Sequence, residues 1–392
     1  MKKIVFTEEF CQPENLFPLT LTRHVQDIRV GILTIRQKWE LALGLPSFDK
    51  RDGDYKDLER SITIDESIGD DIIYLIHGNV LPTTKLVKQI KKLSHGEFIS
   101  VGDAESIAYC ISKREVLNEH KITVRKAIEL DHELKEINFP WDIVHLNAWA
   151  IEQDVQLLKK TKRFQKLPDT NKAINASGIF IEKGAQVNYS ILNASDGLIY
   201  IAKDAEVMEG CMLRGPLGIC EGATIKMGAK IYGATTIGPK STVGGEIKNS
   251  VFFGYSNKSH DGYIGDAVIG EWCNLGAGTS CSNIKNTASD IMVWTPKGLV
   301  NAGVKCGVVM GDYSRTAINT SINTGTIVGV SSHVYGNGLT PKYIPSFSWG
   351  SEGVERYEFE KALASITKWK ALKKQMVSES EKFILKHIFA HH

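Results

Sequence analysis

Residues 201–243 read IAKDAEVMEGCMLRGPLGICEGATIKMGAKIYGATTIGPKSTV, and the fold turns on this stretch. Every sixth residue is aliphatic: Ile201, Val207, Leu213, Ile219, Ile225, Ile231, Ile237 and Val243. Two positions ahead of the later ones stand mostly small residues, namely Ala205, Cys211, Ala223, Ala229, Thr235 and Ser241, with Leu217 the exception. An α-helix repeats its buried face about every 3.6 residues and a coiled coil about every 3.5, so neither accounts for a beat of six. A β-solenoid does: every sixth side chain points inward and stacks on its equivalent one coil away. Gly228, Gly233, Gly238, Gly244 and Gly245 supply tight corners between short strands. The beat lapses after Val243 and resumes through Val304, Met310, Thr316, Ile322, Val328 and Val334. The companions there are Ala302, Val308, Ser314, Thr320, Thr326 and Ser332.

Outward from this block the chain changes character. Residues 1–165 lack the beat. Apolar β-type runs (KKIVF, DIIYLIHGN, EFISVGD) alternate with helix-like stretches at Gly31–Leu43 and Pro82–Leu93, which predicts a compact α/β domain. Trp141–Phe164 reads as a strand followed by a helix, and polar Gln165–Gly178 as a linker. Residues 166–350 are assigned to the solenoid. The charged tail, 351–392, carries a helical stripe of Phe359, Leu363, Ile366, Leu372 and Met376, read as packing against the solenoid or a neighbouring subunit.

Composition narrows the function. In 392 residues, 42% hydrophobic and 23% charged, the pattern is that of a globular protein, and two domains are expected. A net charge of +2 gives no reason to expect a nucleic-acid partner. The start MKKIVFTEEF lacks the apolar run of a signal peptide, and no stretch is long enough to span a membrane. Seven scattered cysteines without a CxxC suit reduced thiols in the cytoplasm, with Cys211 and Cys220 read as small buried residues.

The six-residue beat is the hexapeptide-repeat pattern, so the segment resembles the left-handed parallel β-helix of acyltransferases. That resemblance implies the handedness, a homotrimer, and ligand sites between neighbouring solenoids. Gly244–Asn286, GGEIKNSVFFGYSNKSHDGYIGDAVIGEWCNLGAGTSCSNIKN, closely resembles the acetyltransferase half of the bifunctional GlmU family. The family's Glu-x-Lys, histidine motif, Asn-x-Gly-Ala-Gly-Thr run and Asn loop fall on Glu246 and Lys248, His260 with Tyr263, Asn274, and Asn283. The resemblance implies His260 as general base and Glu246 as its orienting or polarising partner. Lys230, Lys248, Tyr263, Asn274 and Asn283 would line a sugar-phosphate site, with acetyl-CoA as co-substrate. The chemistry suits these residue types: an imidazole titrates near neutrality, lysines neutralise phosphate, and amides serve an oxyanion or the acyl donor. The chain departs from the pattern at Asp261-Gly262, at Lys230 where the family has arginine, and at Ile318 where it has a serine near the acyl donor. The alternative is a histidine capping an irregular loop in an inactive solenoid. Zinc is not expected: only His260 and His333 lie in the solenoid, whereas carbonic-anhydrase-like hexapeptide proteins use three histidines.

Phe17–Glu40 resembles L-T-x-T-R-P-x-x-x-[LI]-R-x-G, the opening of a compact GlmU-like group, through Leu19, Thr20, Thr22, Arg23, Ile28, Arg29 and Gly31, with His24 replacing the proline. IHGNVLP and FPWDIVHLNAWAI are similar to that group's later motifs. The resemblance implies a sugar-nucleotidyltransferase-like domain taking a nucleoside triphosphate with Mg²⁺. Thr22, Arg23 and Arg29 then stand as nucleotide-binding candidates, through forked donors in the arginines. Asn147 and Asp103 are the metal candidates, although Asn79 stands where the family has aspartate. A buried ion-pair network is the alternative for the arginines, a helix cap for Asn147 and a turn for Asp103. The expected activity is acetyl transfer to glucosamine 1-phosphate, nucleotidyl transfer to a sugar 1-phosphate, or both, giving a UDP-sugar. Two other readings stay open: a nucleotidyltransferase with the solenoid as trimeriser, and a non-catalytic sugar- or nucleotide-binding scaffold.

Overall fold

The computed structural model describes residues 2–8, 11–47, 72–102, 105–112, 115, 124–352 and 355–392. It divides into two compact units: Met1–Pro13, Arg23–Ile28 and Leu33–Asn138 form the first, and Glu14–Thr22, Arg29–Ile32 and Phe139–His392 the second.

The first unit is α/β, as the alternating runs predict. Its five-stranded sheet is ordered β1 (Lys3–Thr7), β2 (Ile72–His77), β4 (Glu105–Ser112), β3 (Glu97–Val101) and β5 (Lys126–Glu129). β1 and β2 are parallel, as are β3 and β5, while β4 runs antiparallel to both its neighbours. Val5, Ile73, Leu75, Tyr109 and Ile111 make one side of its core. Helix α1 (Ile35–Leu43) starts at Thr34 through a capping box with Gln37, and α2 (Thr84–Lys92) starts where the Thr83 hydroxyl accepts from Leu86 N–H.

The second unit is a parallel β-solenoid. Its three faces hold six strands (Lys172–Ile174 to Tyr263–Gly265), ten (Phe164–Gln165 to Tyr343–Ile344) and eight (Gln186–Val187 to His333–Val334). All eight aliphatic residues of the opening stretch lie in the interior cluster, at most 2% exposed. Each contributes roughly 1.5–3 kcal/mol by leaving water. The beat does not end at Val243. Ile247, Phe252, Lys258, Ile264, Ile269, Leu275 and Cys281 carry on the buried positions, at spacings that shorten where a corner loses a residue. What interrupts it is an antiparallel hairpin, Met292–Thr295 with Gly298–Asn301, inserted before the coil resumes. Val304, expected to point inward, is 43% exposed just after this hairpin; Met310, Ile322, Val328 and Val334 do join the core.

Three further expectations change. Trp141 begins no strand: α3 (Pro140–Leu158) is helical throughout, with Pro140 in its first turn and Asp142 accepting from Phe139 N–H at 2.8 Å. Its buried residues Ile143, Asn147, Ile151, Asp154 and Leu158 recur at three to four positions, a helical period. The Gln165–Gly178 segment is not a bare linker, because Phe164–Gln165 and Lys172–Ile174 are already solenoid strands. The tail holds two helices, α4 (Phe359–Leu372) and α5 (Glu379–His391). Only the first part of its stripe packs: Ile366 is buried, whereas Leu372 and Met376 are 75% and 87% exposed.

Candidate functional site

Strand register, rather than sequence proximity, assembles the polar residues of the six-strand face. Lys230 pairs with Glu246 and Glu246 with Tyr263, so the three form one column across adjacent coils. Tyr232, Lys248 and Gly265 form the column beside it. Side chains two apart on a strand share a face, so both columns present their side chains on the same surface. The Tyr232 hydroxyl donates to Glu246 Oε1 at 2.6 Å, and this bond to a carboxylate pushes the phenol up to about 12. Lys248 Nζ lies 5.8 Å from the Tyr232 ring centroid, within cation–π range. Tyr263, raised to about 12 by burial and by the Asp266 charge, leans over Gly265, where a Cβ would meet its hydroxyl at 2.3 Å.

His260 is exposed in the turn that leads from the eight-strand face (Asn257–Lys258) into this surface at Tyr263. Among the described residues its ring makes no hydrogen bond. The turn is shaped by two glycines. Gly262 has φ +124°, and a Cβ there would meet the Thr279 carbonyl oxygen at 2.1 Å; Gly245, at φ +72°, packs directly against the backbone of His260 and Asp261. The Asp261-Gly262 departure is therefore a steric matter at Gly262. From below, Lys258 Nζ donates to the His260 carbonyl.

Asn274 stands across the turn on the eight-strand face and accepts from Asn257 Nδ2 at 2.7 Å. Asn283 donates to Asp266, whose other carboxylate oxygen accepts from Asn249 at 2.5 Å. The fold thus gathers Lys230, Glu246, Lys248 and Tyr263 on one face beside the His260 turn. Asn274 lies around the edge, and Asn283 is held by Asp266. Tyr232 and Lys258 escaped the sequence reading. A signal for Tyr232 was present in Lys230-x-Tyr232 lying sixteen residues ahead of Glu246-x-Lys248, one coil away; Lys258 carried none beyond a missing aliphatic.

The N-terminal candidates are dispersed. Arg23 is half-buried in the first unit, whereas Thr22 and Arg29 belong to the second. Thr22 donates to Asp312 Oδ2 at 2.7 Å. Arg29, 8% exposed, donates to the carbonyls of Phe253, at 3.0 Å, and Ile32. Asn147 is fully buried; its Oδ1 accepts from Gly31 N–H at 2.8 Å and Thr236 Oγ1 at 3.1 Å, and its Nδ2 donates to Ala234 O at 2.6 Å. With both ends committed, this amide does not fit a metal: it staples α3 and the Arg29–Ile32 segment to the ten-strand face. Asp103 lies outside the described residues, among which no group of three or more metal-ligating side chains occurs.

Residues 4–163 match the family model described as sugar nucleotidyl transferase. A bifunctional sugar-1-phosphate nucleotidylyltransferase/acetyltransferase of Sulfurisphaera tokodaii is 25% identical over 240 residues, 60% of this chain and 53% of that protein. The bifunctional protein GlmU of Methanococcus aeolicus is 27% identical over 226 residues, 58% of this chain and 48% of its own length. The chain thus spans about half the length of the curated relatives it matches. Among solved structures, a Francisella novicida UDP-N-acetylglucosamine acyltransferase aligns with 57% of this chain and 90% of its own, at 14% identity and a TM-score of 0.37. By these matches residues 4–163 are similar to sugar nucleotidyl transferases, and more than half of the chain is similar to bifunctional GlmU-type proteins.

Proposed function

We propose that the chain is a sugar-phosphate transferase. Its solenoid moves an acetyl group from acetyl-CoA to the amine of glucosamine 1-phosphate. Its N-terminal domain transfers a nucleotidyl group from UTP, or another nucleoside triphosphate, to a sugar 1-phosphate, giving a UDP-sugar such as UDP-N-acetylglucosamine. The observation that carries the solenoid half is the Lys230–Glu246–Tyr263 column and Lys248 beside the exposed His260. In this reading Lys230 and Lys248 take the phosphate and His260 accepts the proton of the substrate ammonium. The freed amine attacks the thioester carbonyl, the C–S bond breaks, and the departing thiolate takes up the proton shed by the newly bonded nitrogen, giving the amide and coenzyme A thiol. Glu246, held by the Tyr232 hydroxyl, is the orienting or polarising partner of His260, and Asn274 lines the sugar-phosphate site.

For the N-terminal half Mg²⁺ would neutralise the triphosphate; Arg23 is the cation of that motif that lies in the same unit as the sheet. We further propose a homotrimer in a reducing, cytoplasmic setting. Support for the setting comes from seven free cysteines, six of them buried. No described helix is long and apolar enough to cross a membrane.

Acetyl transfer is tested by thiol release from acetyl-CoA with glucosamine 1-phosphate. His260→Ala is expected to lower the rate by about 10²–10⁴-fold, and release unaffected by that change sinks the assignment. Pyrophosphate release with a panel of nucleoside triphosphates, sugar 1-phosphates and Mg²⁺ tests the other half independently. Absence with every pairing leaves the first domain a binding module. Light scattering in solution reads the assembly, three copies being the expected mass.

A further inference from the structure

Arg315 opens a strand of the eight-strand face, paired on one side with Asn274 and on the other with His333. It is 7% exposed, and its Nε and Nη1 are buried without a hydrogen-bond partner. No described carboxylate forms an ion pair with it; its one close charge-related contact is the Trp369 indole of α4, 4.6 Å away. Burial pushes this guanidinium down to about 10, and burial together with Arg315 pushes His333 down to about 4, so His333 is neutral at pH 7 and Arg315 is the charge of the patch. An unpaired cation is costly to bury, and one cation–π contact offsets only part of that cost. Proteins that keep such a group commonly complete it with an anion.

The surroundings say what kind of anion. Trp349 stacks on His333 with centroids 5.1 Å apart, Tyr357 packs against Trp349 at 4.7 Å, and Tyr335 meets Trp349 edge-on at 5.8 Å. Trp349 and Trp369 are each 38% exposed and Tyr335 41%, so aromatic ring surface lies open over Arg315 at Trp369 and around its strand neighbour His333 at Trp349. A ligand that pairs a phosphate with a stackable ring satisfies both features.

We propose that Arg315 is the oxyanion anchor of a nucleotide-binding patch on the eight-strand face, with Trp369 against it and Trp349 one position beyond His333. Two sources supply that chemistry: the adenosine 3′,5′-bisphosphate end of the acyl donor, or the uridine nucleotide of a sugar-nucleotide product. The first rests on the acetyl-transfer reading, since Arg315 lies one strand beyond Asn274, about 5 Å along the face.

Binding is read on the full-length protein without turnover, by tryptophan fluorescence and calorimetry. The probes are inorganic phosphate, adenosine 3′,5′-bisphosphate and UMP. At least one nucleotide binds and quenches the indole signal; Arg315→Gln weakens it by about ten- to hundredfold. Adenosine bisphosphate alone identifies the acyl donor as the source, and UMP alone the nucleotide sugar. If Arg315→Gln does not fold, Arg315→Lys, which lacks the fork, is expected to bind roughly tenfold more weakly. No binding by any nucleotide, or an affinity indifferent to the folded Arg315 variant, overturns the patch. Failure of thiol release with nucleotide binding intact overturns only the acetyl-transfer reading.

Discussion

Lys258 occupies a slot where the neighbouring coil places Val243, and it is 1% exposed. Burial lowers its ammonium from 10.5 to about 8, with Asp261 pulling the other way. The bond from Nζ to the His260 carbonyl explains why a cation is tolerated there: it ties the turn carrying the proposed base to the solenoid interior. Between about pH 8 and 10.5 the unfolded chain still holds the proton that the folded protein has released. At this site protons are therefore bound preferentially by the unfolded state, and the contribution of Lys258 to stability rises with pH across that window. Lys258→Met is expected to remove that contribution, seen as a difference between variant and parent denaturation midpoints that changes across the same range. An unchanged slope in the variant refutes the assignment. None of this was legible in the sequence, because a lysine in a loop reads as solvated until the coil's register turns it inward.

At the scale of elements, the solenoid strands were legible because each inward slot repeats a local rule, and the interior cluster contains all eight aliphatics of the six-residue beat in 201–243. The off-beat coils were not, since a corner that drops a residue leaves the stacking intact while destroying the sequence period. His260 sits in such a corner, and its shape depends on Gly262. Gly262→Ala is expected to cost about 1–3 kcal/mol in backbone strain alone, with more from the clash at Thr279, measured by urea denaturation. A variant as stable as the parent contradicts the steric account. Helix α3 was misread for a related reason: its opening Trp-Asp-Ile-Val is apolar enough to pass for a strand, and only Pro140 and the Asp142 bond start the helix there.

For the whole molecule, α3 belongs with the solenoid rather than with the sheet that precedes it in sequence. Asn147 and Asp154 are fully buried in that arrangement, Asp154 accepting from Ile32 N–H at 2.7 Å. A fragment of residues 166–392 is accordingly expected to melt several degrees below one of residues 139–392, because it uncovers the ten-strand face and leaves the Ala234 carbonyl without Asn147. Equal melting temperatures in a thermal scan count against α3 as part of that unit. The sequence by itself determined the α/β unit and the solenoid, since periodicity is a property of short stretches; the polar residues around His260 were named through the family resemblance. Tertiary structure alone decided which of those residues share a column, which are tied up as staples, and that Arg315 is buried with two of its nitrogens unpartnered by protein atoms. Those outcomes depend on the accumulated lengths of successive coils and on helices packed from distant parts of the chain, which no local pattern encodes.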